Sequence, residues 1–231
     1  MSQVVAGRRG LWKIKLIIKE LGMNKLFKYI LPVLCACLTA YGCGSSGSST
    51  MEMPSSNTNV LNGVTLMGGQ QGKSAGLVDV DGDGISDKVV GTPYATTATT
   101  TGAVLVYKGD STGGFSSAPS SLLTGDDLFG SSFVKLSKAS NSDTEKFAIG
   151  SIYGDGDNVS LSGSVSIYQG GSGGPQLIKK LAGEGPLDRF GFSLAAGDLD
   201  GDGYNDLIVG AQYSTPSSLL YQQGAVYVYF G

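Results

Sequence analysis

From about Asn59 onward the chain repeats itself at a spacing of 61 residues. Gly102-Ala103-Val104-Leu105-Val106-Tyr107 returns as Gly163-Ser164-Val165-Ser166-Ile167-Tyr168 and as Gly224-Ala225-Val226-Tyr227-Val228-Tyr229. Phe129-Gly130-Ser131-Ser132 returns as Phe190-Gly191-Phe192-Ser193, with a weaker first copy at Gln71-Gly72-Lys73-Ser74. A third block recurs as Lys88-Val89-Val90-Gly91-Thr92, Phe147-Ala148-Ile149-Gly150-Ser151 and Leu207-Ile208-Val209-Gly210-Ala211. Internal repetition of this kind means stacked copies of one supersecondary unit, because a single copy cannot bury its apolar surface alone. Residues 60–231 read as three such copies.

Each copy reads as β-strands. Val104, Val106, Val165, Ile167, Val226 and Val228 are β-branched and alternate with Ala, Ser, Leu or Tyr. In the third copy both faces are apolar: Val226, Val228 and Phe230 on one, Ala225, Tyr227 and Tyr229 on the other. Such a strand needs cover on both sides, which sheets stacked face to face supply. Gly/Ser/Thr-rich runs at Thr96–Thr101, Ser111–Ser121 and Gly170–Gly174 read as loops. No helical periodicity follows residue 60, so the fold class is all-β.

Two segments crowd four carboxylates into nine residues: Asp79, Asp81, Asp83 and Asp87, then Asp198, Asp200, Asp202 and Asp206. Two carboxylates about 4 Å apart repel by roughly 4 kcal/mol at an effective dielectric near 20, so a cation between them removes a real cost. The acids fall at loop positions 1, 3, 5 and 9, and Gly82, Gly84, Gly201 and Gly203 permit sharp bends between them. Position 7, Ile85 or Tyr204, offers a backbone carbonyl. An oxygen-only, carboxylate-rich set suits Ca²⁺, which takes about 6–8 oxygens, better than Mg²⁺ with its stricter octahedron. An EF-hand is excluded: position 12 is Val90 or Val209, where that motif needs a bidentate Glu, and flanking helices are missing. The middle copy reads Lys138-Ala139-Ser140-Asn141-Ser142-Asp143-Thr144-Glu145-Lys146, with lysine at both outer acid positions. That loop is expected to hold no calcium, a lysine amine taking part of the space. Asp155-Gly156-Asp157 reads as a solvated turn.

The N-terminal part has another character. From Met23, Lys25 and Lys28 precede an uncharged apolar run, Tyr29 to Tyr41. That run is shorter than the roughly 20 residues a membrane-spanning helix needs. Residues 1–43 read as a signal region. Its end resembles a bacterial lipoprotein signal, with Cys43 as the residue to be acylated and Cys37 as the local alternative; a plain signal peptide or a buried apolar helix are the other readings. Residues 44–59 follow as a Gly/Ser-rich tether. Residues 1–22 hold five basic side chains and one acid; either they lengthen the basic region, or Met23 is the true start, with a basic amphipathic membrane helix as a third reading. After Cys43 come nine basic and eighteen acidic residues, a net charge of −9. That excess disfavours nucleic acid and anionic surfaces as partners and suits cations. All three cysteines precede residue 44, so the repeat region holds no disulfide.

Taken in order, Phe190-Gly191-x-Ser193, Asp198-x-Asp200-Gly201-Asp202-Gly203-x-x-Asp206, Ile208-Val209-Gly210-Ala211 and Gly224 to Tyr229 resemble the FG-GAP repeat of integrin α-subunit propellers and their bacterial relatives. The first copy has Gln71-Gly72 and Gly91-Thr92-Pro93 in place of the usual pairs, and the second lacks the acidic loop. The resemblance implies a β-propeller with about one four-stranded blade per repeat. It also implies calcium in the turn between a blade's first two strands, and a ligand on loops of one propeller face. Propellers run from about four to eight blades, so three repeats make a partial or incomplete propeller. Self-association or further blades would close the ring, and a truncated or split reading frame is the alternative. Val60–Met67 is suited to serve as an outer strand across the gap.

The function expected from these readings is a calcium-stabilised binding or adhesion module with a protein or glycan ligand. It would be exported to the bacterial cell envelope, at the outer membrane or cell surface, on a lipid anchor. The alternative is a fragment of a larger propeller protein accessory to a secreted hydrolase. The chain itself is expected not to be an enzyme: it contains no histidine, which removes His-dependent triads and His-ligated zinc. Its aspartate clusters are already assigned to calcium.

Overall fold

The computed structural model describes residues 3–5, 13–16, 60–61, 64–65, 70–96, 101–136, 144–155, 159–215 and 223–231. These belong to one compact unit, Met1–Ile17 with Thr58–Gly231. The proposed cleavage site, Cys37, Cys43, Met23 and the tether lie outside the described residues.

All described secondary structure is β. The strands are β1 (Gln3–Val5), β2 (Lys13–Leu16), β3 (Val60–Leu61), β4 (Val64–Thr65), β5 (Ser74–Val78), β6 (Asp87–Thr96), β7 (Thr101–Tyr107) and β8 (Ser121–Thr124). They continue with β9 (Phe129–Lys135), β10 (Lys146–Ser151), β11 (Ser164–Gln169), β12 (Gln176–Ala182), β13 (Phe190–Gly197), β14 (Asp206–Ala211) and β15 (Ala225–Tyr229). Strands β5-β6-β7-β8 form an antiparallel meander, the first blade. Strands β9-β10-β11-β12 form the second, and β13-β14-β15 the third. These are propeller-type blades, one per sequence repeat.

The third blade gains its fourth strand from far away in sequence. β2 pairs antiparallel with β15, Val226 opposite Leu16 and Tyr229 opposite Lys13, and β1 pairs with β2. The sequence points to Val60–Met67 for such a gap, but Val60–Leu61 and Val64–Thr65 pair with each other instead. The physical demand is the same in both cases: the open edge of β15 carries backbone donors and acceptors that a further strand satisfies. Lys13–Leu16, in a segment to which the sequence pattern assigns no part in the fold, supply it.

The core lies between blades. Val78, Val80, Val89, Val104 and Val106 of blade one pack with Phe129, Phe147, Ile149 and Tyr168 of blade two. Ala148, Val165, Ile167 and Leu181 of blade two pack with Phe190, Leu207, Val209, Tyr227 and Tyr229 of blade three. Strands apolar on both faces are therefore covered on both faces in blade two, as the sequence pattern demands.

A hook at the start of blades two and three joins each to the blade before. Phe129 and Phe190 are fully buried, and the glycine after each has a positive φ, 90° at Gly130 and 84° at Gly191. In both blades the strand register shifts across this Phe-Gly step, which is a β-bulge. The preceding blade holds the bulge with a serine. Ser74 Oγ donates to the Gly130 carbonyl at 2.8 Å, and Ser132 Oγ donates to the Gly191 carbonyl at 2.6 Å. The glycine of each preceding Val-Gly or Ile-Gly block makes room. A Cβ on Gly91 would stand 2.1 Å from the Gly130 carbonyl oxygen, and one on Gly150 would stand 2.4 Å from that of Gly191.

Candidate metal centres

Both aspartate loops fall in the turn between a blade's first two strands. The first joins the end of β5 at Val78 to Asp87, the first residue of β6; the second joins Gly197 of β13 to Asp206 of β14. Within each loop the first carboxylate gathers backbone amides. Asp79 Oδ1 accepts from Gly82 N (2.7 Å) and Asp83 N (3.2 Å), and its Oδ2 from Gly84 N (2.9 Å). Asp198 Oδ1 accepts from Gly201 N (2.7 Å), and its Oδ2 from Gly203 N (3.0 Å). The fifth-position acids accept from the amide two residues on: Asp83 from Ile85 N and Asp202 from Tyr204 N, both at 2.8 Å. These bends require positive φ at Gly82 (77°), Gly84 (83°), Gly201 (81°) and Gly203 (95°).

The ninth-position acids anchor the loops to the blade. Asp87 and Asp206 are buried. Asp87 accepts from Val80 N (3.0 Å) and Gly109 N (2.9 Å). Asp206 accepts from Leu199 N (2.7 Å) and Gly231 N (3.0 Å). Each therefore ties its own loop to the chain just past the blade's third strand. Burial pushes the Asp87 carboxyl above its ordinary 3.8, against the two amides that lower it.

Carboxylate oxygens of Asp79, Asp81 and Asp87 all lie within 4.8 Å of one another, as do those of Asp198, Asp200 and Asp206. The donor set is oxygen-only and triply acidic in both loops, which fits a hard cation of the Ca²⁺ type. Asp83 and Asp202 stand outside these trios, and Ile85 and Tyr204 lie in the same turns with their amides turned to Asp83 and Asp202.

Two side chains that linear reading did not connect to the first loop reach it. Lys108 Nζ lies 2.5 Å from Asp81 Oδ2 and 3.2 Å from Asp83 Oδ2. The Ile85 amide and then the Lys108 ammonium hold Asp83 below its ordinary value, and the bonds to Asp81 and Asp83 raise Lys108 in turn. Glu145, from the corresponding turn of blade two, accepts from Asp79 N at 2.7 Å and pairs with Lys135. In the third blade the position matching Lys108 is Phe230. The repeat alignment exposes that difference; only the fold brings Lys108 to Asp81, 27 residues away.

Of the middle copy's degenerate loop, residues 137–143 lie outside the described residues. Asp155 accepts from Leu161 N at 2.9 Å, as a turn residue does. Tyr153 and Tyr213, which follow the Gly150 and Gly210 blocks at corresponding positions, flank Arg189: Tyr153 accepts from its guanidinium at 2.8 Å, and both rings lie against it. They serve packing between blades two and three. Tyr94, their counterpart in blade one, is exposed.

Comparison with known proteins agrees with this architecture. Residues 190–229 match the FG-GAP repeat. The chain is 34% identical over 168 residues to integrin alpha-4 of Xenopus laevis, covering 68% of this chain and 16% of the integrin. It is 36% identical over 168 residues to integrin alpha-V of Gallus gallus (69% and 15%), and 32% identical over 190 residues to integrin alpha-5 of Xenopus laevis (71% and 17%). The chain thus spans 15–17% of the length of these relatives.

Proposed function

We propose that this FG-GAP-bearing, integrin-α-like chain is a calcium-stabilised binding or adhesion module that works outside the cytoplasm. One observation carries the reading. The same carboxylate cradle is built twice, and each copy is tied to its blade by a buried aspartate, Asp87 or Asp206. Asp79, Asp81 and Asp87 would hold one ion, and Asp198, Asp200 and Asp206 the other, with Asp83, Asp202 and the carbonyls of Ile85 and Tyr204 completing the shells. Calcium would there neutralise three clustered carboxylates and fix the turn between two strands. Its role is structural, keeping the loops of one blade end in a single arrangement for a protein or glycan ligand. Extracellular calcium modules bind at about 10⁻⁴–10⁻³ M, a range that suits an exported protein. Cys43 would carry the lipid that tethers the module to the bacterial envelope.

The test has two arms. Thermal unfolding is followed in millimolar calcium and in chelator; a higher melting temperature with calcium supports the reading, and identical curves refute it. Labelled palmitate incorporation in a bacterial host is compared with Cys43→Ser; labelling that survives the substitution removes the anchor at Cys43.

A further inference from the structure

We propose that the chain associates head to tail with a second copy of itself, the Gln71–Gly72 hook of one copy entering the seat formed by Ser193 and Gly210 on the third blade of the other. The joint is the one the fold already makes twice. At each internal joint a serine of the earlier blade donates to the hook glycine's carbonyl, and a glycine of that blade lies beneath it. The third blade carries the same parts. Ser193 corresponds to Ser74 and Ser132, and Gly210 corresponds to Gly91 and Gly150. Among the described residues no hook follows, and Ser193 is exposed whereas Ser132 is buried.

The surface around that seat tells the same story. Val89 and Val104 in blade one, and Ala148 and Val165 in blade two, are at most 1% exposed beneath the next blade. Their third-blade counterparts, Ile208 and Val226, are only half-buried. On that face Val228 is buried like its counterpart Ile167, while Ile208 and Val226 keep a partial exposure that their counterparts in the first two copies lack.

The chain also carries an unused hook. Leu128 and Arg189, just before the two internal hooks, have φ of 59° and 54°; Gln70, before Gln71–Gly72, has 46°. Gly72 has φ 87°, matching Gly130 and Gly191. The first hook is therefore already shaped, although Gln71 and Gly72 are exposed and a Cβ on Gly72 would meet nothing within 4 Å. At Gly130 the Ala103 carbonyl oxygen would lie 2.7 Å from such a Cβ. A non-glycine residue in the left-handed region costs free energy; within one copy the Gly72 amide donates to the Gly91 carbonyl of its own blade at 3.1 Å.

Hook and seat are different surfaces at opposite ends of the blade series, so their contact is heterologous, which gives closed rings or open filaments. Gln71 replaces the buried phenylalanine of the internal hooks, so this joint is weaker than they are and depends on concentration.

The experiment is sedimentation equilibrium of the full chain in millimolar calcium, from about 1 to about 500 µM. Wild type is expected to move from monomer to dimer. Ser193→Arg, at an exposed seat position, and Gly72→Val, at the hook, are each expected to stay monomeric. Mixing these two variants restores one good hook and one good seat, and dimers return. Gln71→Phe restores the aromatic hook and lowers the dissociation constant by about tenfold or more, a gain that misfolding does not imitate. Circular dichroism confirms that each variant is folded. A monomer throughout, Gln71→Phe included, overturns the proposal. So does a dimer that Ser193→Arg leaves intact, or a mixture that fails to associate. Longer polymers abolished by the same two variants uphold the joint.

Discussion

The ammonium of Lys108 lies 2.5 Å from Asp81 in the mouth of the first aspartate loop, where the third blade has Phe230. Two loops with nearly the same hydrogen bonds thus differ in one respect: one already contains a positive charge of its own. An ammonium neutralises part of what a calcium ion would neutralise, and it must be displaced or tolerated when the ion enters. Half of the Lys108 side chain remains exposed, so water and salt screen the contact.

Lys108→Met is therefore expected to tighten calcium binding at the first loop. An exposed ion pair is worth little, so the gain is about three- to fivefold rather than orders of magnitude. Isothermal titration of wild type should resolve two classes of site, the tighter one lost on Asp198→Ala. In Lys108→Met the two classes move together. An unchanged weaker class in the lysine variant would contradict the competition.

Asp202 and Asp206 separate calcium loss from structural loss. Asp202 is exposed and accepts only from the Tyr204 amide. Asp202→Ala should abolish or blunt the calcium-dependent rise in melting temperature while leaving the metal-free curve nearly in place. Asp206 is buried and satisfies Leu199 N and Gly231 N. Asp206→Ala leaves those amides without their acceptor at about 1–3 kcal/mol, and should lower the melting temperature in chelator as well as in calcium. Equal metal-free curves for the two variants would deny Asp206 its anchoring role.

Much of this was legible without coordinates. The 61-residue spacing marks the blades because identical units must meet identical neighbours, and the aspartates at positions 1, 3, 5 and 9 mark both turns. What escaped was long-range. Lys108 and Glu145 reach the first loop from a different strand end and a different blade. Ser132 meets the Gly191 carbonyl 59 residues on; the serine is visible in the repeat, but its acceptor lies in the next copy. β12, with its run Gln176 to Lys180 exposed, has none of the alternation that identifies a half-buried strand. The pairing of β2 with β15 joins segments more than 200 residues apart, and no local propensity encodes such a partner.

Some glycines of the blades are needed for space and others for backbone shape. Gly150→Ala places a methyl 2.4 Å from the Gly191 carbonyl oxygen, at the joint between blades two and three. Backbone does not yield cheaply there, and a loss of about 2–4 kcal/mol is expected. Gly201→Ala meets nothing within 4 Å but inherits φ of 81°, so only the left-handed strain applies, about 1–2 kcal/mol. Urea unfolding of the two variants ranks them. A larger loss at Gly201 than at Gly150 would mean that the blade joint is not close-packed.

Acid should weaken the first loop earlier than an ordinary aspartate would allow. Burial raises Asp87 above 3.8, and the neighbouring charges of Asp81 and Asp83 add to the rise. In the metal-free chain the sign is that of a raised folded value: the contribution of Asp87 favours the folded state fully below the unfolded pKa and is lost as pH rises through the folded one. Calcium reverses the preference, because a cation takes only the charged carboxylate. Asp83 is held low by the Ile85 amide and Lys108, and so stays charged through the same window. Calcium affinity at the first loop is thus expected to decline as pH falls toward the raised Asp87 value, with proton release on binding over that interval. Titration calorimetry in two buffers of different ionisation enthalpy counts those protons. Affinity that holds constant down to pH 3.8 would mean that Asp87 is no ligand.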